Sequence, residues 1–143
     1  MTDSIDSDSS KLELQNVQSL RYEERSHLEA IAQEAAKNPL IKGEEFFPNH
    51  SLGNPSRRMQ FIKHYLNFSE HANNFYDYVI RVGQKIIGYA AIDKGYNALK
   101  EYFPISVHFA FVSPSSTQYS EMLESAFLEE CKRIELSNKK SKL

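Results

Sequence analysis

His108 lies within Ile105-Ser106-Val107-His108-Phe109-Ala110-Phe111-Val112, an apolar run that passes through Ser113-Pro114-Ser115-Ser116-Thr117-Gln118 into a periodic segment beginning at Tyr119. Imidazole changes charge near neutrality, so a histidine on a strand can act as a general base. Alternation places Ser106, His108 and Ala110 on one face of the expected strand, and His108 is the only titratable group among them. The other reading of His108 is an ordinary hydrogen-bonded strand residue. Where a strand runs through a short polar loop into a helix, the first helical amides lack partners and the dipole is positive there, so an anion can bind.

Other chemistries find little support. His27, His50, His64, His71 and His108 show no H-x-x-x-H or H-x-H spacing and pair with no Cys or acid in a ligand pattern, so no metal site is expected. The five glycines form no G-x-S-x-G elbow, phosphate loop or dinucleotide fingerprint. Tyr76, Tyr78, Tyr89, Tyr96 and Tyr102 read as packing and rim aromatics, Arg57-Arg58 as a solvated helix face, and Cys131 as helix core one turn from Phe127.

The elements that must position His108 follow from periodicity. Residues 1–10 are acidic and serine-rich with little apolar surface, which predicts a disordered tail. A single domain is expected over residues 11–137. It begins with a short, edge-type strand in Leu12-Glu13-Leu14-Gln15-Asn16-Val17. An amphipathic helix is expected over Tyr22 to Lys37, with Leu28, Ile31, Ala32 and Ala35 on one face, ended by Asn38-Pro39. Residues 38–54 read as an irregular connection. A second helix is expected to open at Asn54-Pro55 and to run to about Phe68, its apolar face Met59, Ile62, Tyr65 and Leu66. Two β-rich runs, Phe75 to Val82 and Lys85 to Ile92, flank Gly83-Gln84 and predict a hairpin. A loop over 93–104, a strand over Ile105 to Val112 and a helix over about Tyr119 to Leu136 complete an α+β fold, a mixed, mostly antiparallel sheet with helices on its faces.

The strand with its Val112-Ser113-Pro114 step resembles the GNAT acetyltransferase superfamily. So do Ala35-Ala36-Lys37-Asn38-Pro39-Leu40, Phe47-Pro48, Arg57-Arg58 and the run from Tyr78 to Ala90. The resemblance covers roughly residues 12 to 136. It implies an enzyme that transfers an acyl group from acetyl-CoA to an amine by direct attack, His108 serving as the base that faces the amine. Main-chain groups of Phe111 and Val112 would pair with the pantetheine arm, and amides of Gln118, Tyr119 and Ser120 would face the pyrophosphate.

Two departures from that pattern matter. The family's glycine-bearing pyrophosphate loop has no glycine over residues 115–122, where only Gln118 matches its polar start, and side chains there crowd a phosphate. Its fifth strand and fourth helix have no counterpart, so the expected sheet exposes an edge beside Ile105 to Val112 that a second copy could cover. A non-catalytic reading, a CoA-binding or dimerising module with a decayed cofactor loop, stands beside the enzyme reading.

Seventeen Lys+Arg against nineteen Asp+Glu give a formal charge of −2, with no excess of positive charge for a phosphate backbone; nucleic acid is not an expected partner. No apolar run approaches the ~20 residues that span a bilayer. Residues 138–143 read as a basic tail. Its last three residues, Ser141-Lys142-Leu143, resemble the type 1 peroxisomal targeting signal, which implies an import receptor as partner and the peroxisomal matrix as location.

Overall fold

The computed structural model describes residues 11–37, 54–66, 75–96, 99 and 101–142. The expected tail over 1–10 and the connection over 38–53 lie outside them. Four strands, β1 (Leu12–Asn16), β2 (Phe75–Val82), β3 (Lys85–Asp93) and β4 (Val107–Val112), form one antiparallel sheet in the order β1-β2-β3-β4. Three helices, α1 (Tyr22–Ala35), α2 (Pro55–Leu66) and α3 (Ser120–Lys142), pack on it. The chain is therefore α+β, with helices on both faces of the sheet.

Strand alternation divides the core between those faces. Val79, Ile86, Tyr89, Ala91, Phe109 and Phe111 pack against Leu28, Ile31, Ala32 and Ala35 of α1 and Ile62 of α2. On the other face, Ile80, Val82, Ile87, Ala90, Ala110 and Val112 meet Leu123 and Phe127 of α3, while Tyr78 and Ile92 meet Ile134. The β2–β3 hairpin turns at Gly83-Gln84 as the residue types predict, with Gly83 at φ 62, a backbone region that costs glycine little. Asn54 opens α2, its side-chain oxygen accepting the Arg57 N–H at 3.1 Å.

Three expectations need correction. The last helix does not stop near Leu136 and leave a basic tail from 138: α3 continues to Lys142. No glycine or proline interrupts the segment, lysines favour a helix C-terminus, and Asn138 anchors the added turns by donating to the Lys94 carbonyl at 2.9 Å. Second, Arg58 is not on a solvated face. It is fully buried, and its Nε donates to the Ala36 carbonyl at 2.7 Å, joining α2 to the end of α1. Third, the edge beside β4 is not open at its centre. Among the described residues no strand pairs with it, yet Phe109 and Ala110 are 0% and Phe111 is 1% exposed. An alanine with no exposed area has its peptide groups covered as well as its methyl.

A polar brace ties β1, β2 and α1. Arg81 donates through Nε to the Gln15 side chain and through its terminal nitrogen to Glu24 at 2.7 Å. Glu24 also accepts the Arg21 N–H at 3.0 Å, satisfying an amide at the start of α1. That backbone hydrogen bond, then the Arg81 contact, hold the Glu24 carboxyl at about 2, against an ordinary value of 4.5. A carboxyl lowered on folding stabilises the fold above its unfolded value, and this is lost as pH falls toward the folded one. Glu24→Gln is therefore expected to lower the melting temperature at neutral pH. The gap from wild type should narrow between pH 4.5 and 2, read by thermal unfolding across that range. A gap that stays constant would show that the brace does not act through the charge.

Candidate functional site

The candidate site runs along β4 from His108 to the start of α3. Sequence alternation assumes an even ladder, but β3 pairs Ala91 with Phe109 and Ile92 with Val107, leaving His108 as the extra residue of a bulge. The bulge turns the histidine. Its ring stacks on Phe75 with centroids 4.5 Å apart and planes at 27°, and Phe75 packs with the cluster under α1 and α2. Ala110 instead packs under α3. The expectation that Ser106, His108 and Ala110 share one face is thus corrected, the inserted residue having broken the two-residue period. Ser106 lies outside the strand, exposed, its carbonyl accepting the Asp93 N–H at 3.1 Å.

His108 is half-buried, and Asp93 lies near it. Burial pushes the Asp93 carboxyl above its ordinary value, and the imidazole, when charged, works in the opposite direction. A half-buried imidazole held by an aromatic ring with a carboxyl nearby is an arrangement that can accept a proton from an incoming nucleophile.

At the other end of β4, roughly 13 Å away at the rise of a strand, Phe111 and Val112 lead into Ser113. The Ser113 N–H donates to the Ile87 carbonyl at 2.7 Å, which holds the strand's end against β3. Then comes a 3-10 stretch, Pro114–Tyr119, interrupted at Ser116 by a non-helical φ of −110. Its amides are partly used: Ser116 N–H donates to the Ser113 carbonyl at 2.8 Å, and the N–H of Ser120 donates back to Thr117. The Ser120 hydroxyl also donates to the Thr117 carbonyl, at 2.6 Å. A loop without glycine does not open into a wide anion cradle and here coils on itself. Gln118 is exposed and Tyr119 half-buried against the core beneath α3. The structure thus places Val112 and Tyr119 in one cluster under α3 and Phe111 on the opposite face of the sheet, with Gln118 and Ser120 exposed in the turn that follows and His108 at the other end of the strand.

Reading residue types missed several buried polar groups. Tyr89 donates its hydroxyl to Asp77, and both are buried on the α1 and α2 side. Tyr78 donates to Glu130 of α3, a carboxylate that also accepts two hydrogen bonds from Arg133 at 2.7 and 2.8 Å. Burial, then the Glu130 carboxylate, push the Tyr78 hydroxyl well above the ordinary tyrosine value, while Arg133 holds Glu130 below the usual carboxylate range. Cys131 is half-buried, its thiol raised by burial. The buried Arg58 could have been found, because Arg58, Ile62 and Leu66 recur every four residues on one side of α2.

Among the described residues no group of three His, Cys, Asp or Glu side chains is placed to hold a metal ion, and no helix is long and apolar enough to cross a membrane. No family model matches the chain, and no curated protein matches it. Among solved structures, it is similar to the crystal structure of PH1933 from Pyrococcus horikoshii OT3, at 14% identity. That alignment covers 87% of this chain and 73% of the other, with a TM-score of 0.47, and carries no statement about function.

Proposed function

We propose that this chain is a GNAT-like protein that takes an acyl-CoA, with acetyl-CoA the simplest, and passes the acyl group to an amine. The observation that supports this reading is the layout of β4, which has a half-buried histidine beside a carboxyl at one end and a helix start at the other. An extended arm lying along β4 would join the two ends, its phosphates at the start of α3 and its thioester near His108. His108 would accept the proton as the amine nitrogen attacks the thioester carbonyl, and the CoA thiolate would leave. Where Ser141-Lys142-Leu143 is the free carboxyl end of the protein, the same proposal places it in the peroxisome.

A specific observation favours the second reading, a non-catalytic module. The Ser116 and Ser120 amides are bonded inside the turn, and Phe111 is 1% exposed, so an acyl-CoA must displace existing contacts to reach the strand. Weak binding follows. Calorimetry with acetyl-CoA is expected to give a dissociation constant on the order of 1 mM, about −4 kcal/mol. Ser120→Asp should weaken it several-fold, because the new carboxylate repels phosphate while its position at the helix start keeps the helix intact. Binding absent at millimolar ligand would overturn the enzyme reading and leave the non-catalytic one. Binding that Ser120→Asp weakens makes loss of transfer in His108→Ala the next result expected.

A further inference from the structure

The outer face of α3 carries apolar side chains that the fold does not cover. Met122 is 40%, Leu128 58% and Leu136 59% exposed, half of the six large hydrophobic residues that stand out from the described surface. The buried side of the helix, centred on Leu123, Phe127 and Ile134, is anchored to the sheet. At about 100° per residue the opposite side carries Glu121, Met122, Ser125, Glu129, Lys132, Leu136, Lys139 and Lys140, flanked by Leu128. All of these are exposed. Charge is segregated along the face: the acids Glu121 and Glu129 lie in the first half, and Lys132, Lys139 and Lys140 in the second.

We propose that this face pairs antiparallel with the same face of a second copy of the chain. The sign of the charges selects that occupant. A two-fold axis passing between Glu130 and Cys131 sets Glu129 opposite Lys132 of the other copy and Glu121 opposite Lys139, which lies on the same flank of the helix, each contact made twice. The same register sets Ser125 opposite Leu136, a small residue facing a large one, and lays Met122 along the stem of Lys140. A parallel arrangement would instead oppose acid to acid and lysine to lysine. The 23-residue helix is about 34 Å long at 1.5 Å per residue, enough for a narrow interface of the weaker kind. This pairing does not involve β4, replaces the expected covering of the β4 edge as the route to a homodimer, and does not depend on acyl-CoA binding.

Sedimentation equilibrium on the full chain tests it. Wild type is expected to pass from monomer to dimer over roughly 1 to 200 µM, with the dissociation constant rising several-fold between about 50 and 500 mM salt as the ion pairs are screened. Lys132→Glu opposes Glu129 with a second carboxylate and should weaken the dimer about tenfold. Combining it with Glu129→Lys restores opposite charges across the axis and should recover most of that loss, while circular dichroism reports unchanged helix in both variants. A wild type that stays monomeric to about 200 µM, or a dimer that does not respond to Lys132→Glu, overturns the proposal.

Discussion

Gly88→Val is expected to abolish the fold. Gly88 lies opposite Val112 in the β3–β4 ladder. A Cβ there would stand 2.1 Å from the Phe111 carbonyl oxygen and 2.9 Å from the Val112 Cα, both backbone atoms. A flexible side chain could rotate away from such a contact, but a strand cannot without breaking the ladder. The requirement is one of space, for the glycine sits in ordinary extended backbone rather than at positive φ. On its other side Gly88 pairs with Ile80 of β2, just before a register shift in that ladder. Losses above about 4–5 kcal/mol are the exceptional class and match the stability of many small domains. Circular dichroism and amide dispersion in a proton–nitrogen NMR spectrum should show an unfolded or molten chain. A variant that melts cooperatively within a few degrees of wild type would show that the two strands can part there at little cost.

Phe109→Ala is the second large effect, expected to cost about 3–5 kcal/mol, the range for removing a buried aromatic ring. Phe109 is fully buried, its ring centroid 6.2 Å from both Tyr89 and Phe111, with Phe111 edge-on at 79°. The cavity would open beneath α1, in the cluster that also holds Val79 and Ala91. Urea unfolding should show a lower midpoint at unchanged slope. Phe109→Leu, which keeps most of the volume, should cost less than half as much. Equal costs for the two would mean that the ring's shape, not its volume, holds the site. Because His108 precedes this residue in the bulge, the same comparison reports how firmly the core holds the imidazole.

What could be read in the residue types was mostly local. The Gly83-Gln84 turn, the Asn54 cap and the order of the elements all rest on neighbours within a few residues, and each stands where the pattern places it. The departures came from long-range contacts. Arg58 reads as one of two surface arginines until the end of α1 supplies a carbonyl for it. The side on which His108 lies depends on one inserted residue in the β3–β4 ladder, which no two-residue period reveals. The full length of α3 rests in part on Asn138 reaching Lys94, forty-four residues earlier. At the candidate site, the absent glycines pointed to a crowded phosphate approach, but not to a turn that uses its own amides.

The order in which the strands meet has a kinetic meaning. β2, β3 and β4 are successive in the chain, and the β2–β3 hairpin closes through two residues, so this pairing needs little loop closure. β1 joins the sheet only at β2, across the whole stretch from residue 17 to residue 74. A central meander capped by α3 is therefore the nucleus the topology favours, with β1 adding last from one side. In native-state hydrogen exchange the amides of Leu12 to Asn16 should open by a fraying route that leaves the rest protected, while those of Tyr89 and Ala90 exchange only when the whole molecule opens.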